Sequence, residues 1–336
     1  MNSVDLTIGV LFYNQETFVN RCLNSIIDSG IDLNHIEIVI VDDCSIDNTE
    51  KSIKEFIKSH QNIVIKYIRN SINSGILVSR KVCIENATND FFIFVDGDDT
   101  FITDSLHNFL SSNIVIELTK KYDILDWDLM AIEKPVNFEP INPGFTIDEI
   151  NITPEKYSEI YTRNHIELTK FTSHIIGKII RTSLLKKVIV PIPDLYINFF
   201  EDYLLVLLMI NEHPSIYANT NLYKFYLYNN SNMGQTNTFI NSKDIDYFKY
   251  CTLTISILNN YPNIDSFYVN KYKKDIVRLF IDKIKSVICN YNNSNTSDNE
   301  RQEFRKKIYK TLIEIKKIDK SFYNIIIKNL NKRFYK

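Results

Sequence analysis

Two acidic clusters stand at the ends of apolar runs in this sequence of 336 residues: Asp42 and Asp43 close "IEIVIVDD", and Asp96, Asp98 and Asp99 close "FFIFVDGDD". Carboxylates this close repel one another, so the arrangement becomes favourable only when something positive neutralises it, usually a divalent cation or a basic partner. Oxygen ligands select Mg2+ or Mn2+, ions that keep several waters and bridge to substrate phosphates. The second cluster therefore suggests a metal that holds a diphosphate. The plainer reading is that Asp98 and Asp99 cap the next helix. A third acidic pair, Glu201 and Asp202, opens the apolar stretch "FFEDYLLVLLMI", where acids suit a helix N-terminus on electrostatic grounds alone.

The elements that position these acids follow from periodicity. "DLTIGVLF" at 5–12, "IEIVIVD" at 36–42, "IVIKYI" at 63–68 and "FFIFVD" at 91–96 read as strands. Between them, "QETFVNRCLNSIIDSG", "DCSIDNTEKSIKEFIKSH" and "ILVSRKVCIENA" read as helices, the second opened by a capping box from Asp47 to Glu50. Strands apolar on both faces and alternating with helices predict an α/β fold with a mostly parallel, helix-covered sheet. Ligands of such sheets lie beyond the carboxyl ends of the strands, where both acid clusters fall.

Beyond residue 100 the pattern loosens. "ILDWDLMAI" and "HIIGKII" read as strands, "RTSLLKK" and "FFEDYLLVLLMINEH" as helices, "SIYANTNLYKFYLYNN" as strand and turn, and everything from about 240 onward as amphipathic helices. His174 sits on an apolar strand, where a core histidine is the plain reading. Trp127 could stack on a sugar, although a lone Trp is more often core.

Composition excludes several classes. Net charge of −2 gives no argument for nucleic-acid binding, and 44% hydrophobic with 24% charged residues is ordinary for a soluble globular chain. The charge is unevenly spread: Arg301 to Lys336 carries twelve Lys or Arg against Glu303, Glu314 and Asp319, a net +9. Such an end suits peripheral attachment to anionic lipid, a polyanionic acceptor or self-association through an acidic neighbour. Five cysteines, odd in number and never in C-x-x-C spacing, argue against a disulfide framework or zinc site and for a reducing cytoplasm. The longest apolar run, "YLLVLLMI", is too short to span a bilayer.

Four segments taken together, "LFYNQE" at 11–16, "VIVDDCSIDNTE" at 39–50, "NSGILVSR" at 73–80 and "FVDGDD" at 94–99, resemble in order and spacing the nucleotide-binding half of family 2 glycosyltransferases with the GT-A fold. "HIIGKIIRTSLL" and "FFEDYLLV" look like the acceptor side of that family. The resemblance implies a nucleotide-sugar-binding half over 1–110 and an acceptor-binding half over 111–235; the amphipathic pattern adds a helical C-terminal region with a basic tail over 236–336, outside the match.

By the same resemblance, Leu11, Tyr13, Asn14, Glu16, Asn73, Gly75 and Gly97 line the nucleotide. Asp43 accepts a hydrogen bond from a uracil-type base, and Asp42 supports that turn. Arg80 lies near base or diphosphate, Asp96 contacts the ribose, and Asp98 binds the Mn2+ or Mg2+ that bridges the diphosphate. Asp202, with Glu201 beside it, deprotonates the acceptor hydroxyl. Trp127, His174 and Lys178 fall on the acceptor side. The implied activity is inverting, metal-dependent transfer of a sugar from a nucleoside diphosphate, by expectation UDP, to a hydroxyl of a glycan or lipid-linked polysaccharide precursor at the inner face of the plasma membrane.

The sequence departs from the family pattern at Leu11, where proline is usual, at Lys81, where Asn is common, and in "YKFYLYNNSNMGQ", where Asn229 or Asn230 replaces an expected cation. Lys178 is the nearest alternative cation. A non-catalytic nucleotide-sugar-binding or scaffolding relative is the rival reading. A phospho-receiver is shorter and leaves the second acid cluster unexplained. A dinucleotide-binding dehydrogenase lacks its G-x-G-x-x-G after the first strand.

Overall fold

Apolar, β-branched runs bounded by polar turns form β1 (Leu6–Phe12), β2 (Ile36–Asp42), β3 (Val64–Arg69) and β4 (Phe91–Asp96), joined by α1 (Val19–Asp28), α2 (Thr49–Ser59) and α3 (Ile76–Asn86). The computed structural model describes residues 4–101, 105–110, 113–127, 150–151, 175–198, 201–212, 214–219, 226–227, 248–249, 251–254 and 256–257, then scattered residues from 299 and a continuous stretch over 319–334. The later elements are β5 (Thr100–Phe101), α4 (Ser105–Leu110), α5 (Asn113–Lys121), β6 (Ile124–Trp127), β7 (Ile150–Asn151), β8 (Lys178–Arg181), α6 (Thr182–Ile189), α7 (Glu201–Asn211), β9 (Ile216–Asn219), β10 (Tyr226–Leu227) and α8 (Lys320–Phe334).

One eight-stranded sheet runs in the order β3, β2, β1, β4, β8, β6, β9, β7. The three pairings among β1 to β4 are all parallel. Across β8 the sheet turns mixed, with β4 and β6 both antiparallel to β8 and β6 parallel to β9. The core strands are as apolar as the sequence implies: β2 is buried throughout and β4 up to Asp96. β3 departs from the expectation of strands covered on both faces. It lies at the sheet margin, Val64 is 57% exposed, and its interior positions are only half-buried.

Helix α1 buries Val19, Cys22, Leu23 and Ile26, the stripe its spacing predicts. The expected capping box of α2 does not form. The helix begins at Thr49 with Asn48 as its cap residue and no side-chain cap bond. Asp47 instead accepts the amides of Thr49 and Glu16, and Glu50 pairs with Lys54 and Arg69. Local sequence suggests the box; longer-range donors compete for both carboxylates.

The described residues form two compact units, Met1–Tyr196 with Leu205–Met233, and Ile197–Leu204 with Gly234–Lys336. In the second, Phe248, Cys251, Leu253, Ile315, Phe322 and Ile326 are buried, and Asp319 caps α8 by accepting the Phe322 amide at 2.8 Å.

At the amino edge of the sheet Glu37 is 2% exposed and fully engaged. It accepts from Thr7 Oγ1 at 2.6 Å, Thr88 Oγ1 at 2.7 Å and Lys66 Nζ at 2.8 Å, and from the Thr88 amide. Burial alone would raise this carboxyl, but the bonds from Lys66, Thr7 and Thr88 outweigh it and bring the group from 4.5 to about 2. A depressed carboxyl contributes stability that is full above pH 4.5 and lost as pH falls toward 2. Thermal unfolding of Glu37→Gln should lie below wild type at neutral pH by on the order of 2–3 kcal/mol, and the gap should close in acid. A gap independent of pH would contradict the assignment.

Candidate active site

Register brings the acids to one edge. In the parallel ladders Phe12 lies opposite Asp42, Leu11 opposite Asp96, and Asp42 opposite Arg69. Strands β1 to β4 therefore deliver their carboxyl ends, and the loops that follow, to the same side of the sheet.

Asp42 has no exposed surface. Its Oδ1 accepts the Ser45 amide at 2.9 Å, while Oδ2 faces the Tyr67 hydroxyl and Arg69 Nε, each at 3.2 Å. Burial, and then the negative charge of Asp42, push the Tyr67 phenol well above its ordinary value, which keeps it a hydrogen-bond donor. Asp43, 6% exposed, serves the next loop. It accepts Asn70 Nδ2 at 2.7 Å and the Ser74 amide at 2.8 Å on Oδ1, and the Gly75 amide at 2.8 Å on Oδ2. Gly75 adopts φ 85°, a left-handed conformation that favours glycine.

The first loop is laced to the second. The Asn14 amide donates to Ser45 Oγ at 2.9 Å, and the Ile46 amide returns to Asn14 Oδ1 at 2.9 Å. Gln15 N bonds Thr49 Oγ1 at 2.8 Å, Asn48 N bonds Glu16 Oε2 at 2.9 Å, and Glu16 N bonds Asp47 Oδ2 at 3.1 Å. Asn14 at φ 51° and Cys44 at φ 63° take the left-handed turns this lacing requires.

The Asp96–Gly97–Asp98 turn closes the edge. Gly97 N donates to the Leu11 carbonyl at 3.2 Å, and Asp99 N to the Asp96 carbonyl at 2.9 Å. Any side chain at Gly97 would collide with the Phe12 ring, Gln15 Oε1 and the Leu11 carbonyl, so only glycine lets this turn settle on the end of β1. Arg80 is 2% exposed. Its guanidinium lies 4.7 Å from the Phe94 ring centroid, with Nη2 3.2 Å from Asp96 Oδ1. Asp98 and Asp99 are buried, and the Arg21 guanidinium donates to the backbone carbonyl of Asp98. Beneath them the Cys22 thiol is pushed well up, first by burial and then by the charges of Asp99, Asp96 and Asp98, a measure of the negative potential concentrated there.

A divalent cation fits this donor set. Asp96 and Asp98 offer hard oxygens on either side of Gly97, and among the described residues no three acidic, His or Cys side chains form a closed metal cage. An ion here would take one or two carboxylates and complete its shell with phosphate oxygens and water, the mode usual for Mg2+.

The structure therefore gathers Leu11, Tyr13, Asn14, Glu16, Asp42, Asp43, Asn73, Gly75, Arg80, Asp96, Gly97 and Asp98 on one edge. It also redistributes their work. Asn14, Glu16 and Asp43 spend hydrogen-bonding capacity on loop backbone, whereas Tyr13 is 43% exposed. Lys178 is 1% exposed and paired with Asp126 Oδ1 at 2.7 Å, so its charge is matched inside the sheet instead of being offered to a diphosphate. Glu201 is buried and Asp202 half-buried at the start of α7. Trp127 ends β6. His174, Asn229 and Asn230 lie outside the described residues. Sequence reasoning missed Arg69, Asn70 and Arg21. Arg69 and Asn70 had a signal, since they end and follow β3 as Asp42 and Asp43 end and follow β2. Lys81, the departure from the family Asn, reaches the Ile192 carbonyl at 2.6 Å and Asp194 Oδ1 at 2.5 Å.

Residues 7–112 match the profile of glycosyl transferase family 2. The poly(ribitol-phosphate) beta-glucosyltransferase of Bacillus spizizenii is 30% identical over 112 residues, 32% of this chain and 17% of that protein. This chain spans less than half the length of the curated relatives it matches. Among solved structures, Staphylococcus aureus TarS 1–349 superposes with TM-score 0.61 at 18% identity, covering 96% of this chain and 83% of that one. The mannosyltransferase PcManGT from Pyrobaculum calidifontis, in complex with GDP-Man and Mn2+, superposes with TM-score 0.54 at 10% identity, covering 100% and 88%. Over residues 7–112 the chain thus matches glycosyl transferase family 2, and its fold is that of the GT-A glycosyltransferases.

Proposed function

We propose that the chain transfers a sugar from a nucleoside diphosphate donor, a UDP-sugar, to a hydroxyl of a surface-glycan or lipid-linked precursor, with inversion and with Mn2+ or Mg2+. The observation that carries the reading is the convergence of the Asp43 loop, the Arg80–Asp96 pair and the Asp98 turn at one carboxyl edge, within the segment that matches the family. TarS 1–349 in complex with UDP-GlcNAc, TM-score 0.59, supports the choice of donor, and the poly(ribitol-phosphate) named for the Bacillus spizizenii relative supports the acceptor class.

The roles assigned here are those the family resemblance implies, and the contacts within the first unit support several of them. Asp43 already accepts three N–H groups, of the roughly four that a carboxylate can take. It thus shapes the base-binding loop and keeps one position for a base imide. Tyr13, exposed in the loop after β1, offers a flat face on which a base could stack. Asp96, oriented by Arg80, meets the ribose. Asp98 holds the cation, which when bound stabilises charge on the departing diphosphate. Asp202 takes the proton of the attacking hydroxyl, so one in-line displacement inverts the anomeric centre without a covalent sugar intermediate.

Calorimetric titration of UDP with Mn2+ present should give binding that chelator, or Asp98→Ala, weakens by about tenfold or more. Binding indifferent to both would remove the metal role. Asp202→Asn should keep donor affinity while transfer falls by roughly 100-fold to 10,000-fold. Undiminished turnover would show that the base lies elsewhere, and absent turnover in wild type despite tight nucleotide binding would favour a non-catalytic role.

A further inference from the structure

We propose that the second unit carries a docking surface for an anionic lipid bilayer, formed by a stripe of lysines and apolar side chains along residues 302–317. This inference is independent of the donor chemistry. The described residues in that range are helical: 302, 306, 309–310, 312–313 and 315–317. Lys306, Tyr309 with Lys310, Ile313, and Lys316 with Lys317 recur every three or four positions, which places them along one side of a helix. All six are exposed, Tyr309 by 68% and Ile313 by 39%. Ile315, by contrast, is 1% exposed. In sequence the range holds six Lys or Arg against Glu303 and Glu314, and residues 301–336 together carry a net charge of +9 in a chain whose total is −2.

Charge identifies the partner as anionic, and the apolar residues decide which kind. A soluble polyanion would need only the lysines, and an exposed Tyr and Ile among them would cost solvation without return. A bilayer uses both, since lysines meet headgroup phosphates while Tyr309 and Ile313 enter the headgroup and acyl boundary. Among the described residues no helix is long and apolar enough to cross a membrane, so attachment through this surface is peripheral.

The test is vesicle sedimentation of the full chain with phosphatidylcholine alone and with phosphatidylglycerol added. Wild type should bind only the anionic vesicles and leave them as salt is raised. The triple change Lys306→Gln, Lys310→Gln, Lys317→Gln, and separately Tyr309→Ser with Ile313→Ser, should each weaken binding by about tenfold or more. Equal binding to both vesicle types, or wild-type binding by the triple variant, would overturn the proposal. So would wild-type binding by the Tyr309 and Ile313 variant together with equal affinity for soluble polyphosphate, which would mark a site for a free polyanion. The salt arm needs no variant, so misfolding of either one leaves the proposal testable.

Discussion

Burying carboxylates at strand ends is tolerable only if backbone and side-chain donors meet them, and the ligand edge of this sheet is organised by that requirement. Asp43 holds the Ser74 and Gly75 amides and the Asn70 side chain. Asp42 holds its own turn and the end of β3. Hydrogen bonds to a charged group contribute about 1.5–3 kcal/mol each, and an orphaned buried donor costs about 1–3 kcal/mol. Three bonds at Asp43 thus outweigh what any one loop could gain by rearranging alone. Three loops that sequence separates by about thirty residues behave as one surface, which under the proposed function would meet a nucleotide with its polar groups already ordered.

The same economy explains why the neighbouring acids behave differently. Asp96 has Arg80 as a buried counter-charge; Asp98 and Asp99, two and three positions on, act with it in raising the Cys22 thiol. Asp99 closes the turn through its amide, and Asp98 takes an Arg21 bond on its backbone carbonyl. A divalent cation held at this turn would offset negative charge on both the carboxylates and a diphosphate.

Much of this was legible because it is local. Runs such as "IEIVIVD" and "FFIFVD" announce buried strands, and acids at their ends announce the edge where a charged ligand sits. What stayed hidden depends on partners far along the chain. Asp47 and Glu50 have capping-box spacing, yet Glu16 and Arg69 draw them elsewhere. Lys178 reads as a free cation in "HIIGKII" because nothing local reveals that Asp126 lies opposite it in the register of β6 with β8. The half-exposed character of β3 could not be read from "IVIKYI", since strand order in the sheet decides it.

Amide hydrogen exchange on the ligand-free protein tests the central claim, that buried carboxylates fix the loops before substrate arrives. The amides of Asn14, Ser45, Ser74 and Gly75 should be protected like those of β1, and Asp43→Asn should release Ser74 and Gly75 while leaving β1 unchanged. Rapid exchange of Ser74 and Gly75 in wild type, at the rate of exposed loop amides, would show that the edge is assembled by the ligand instead of awaiting it.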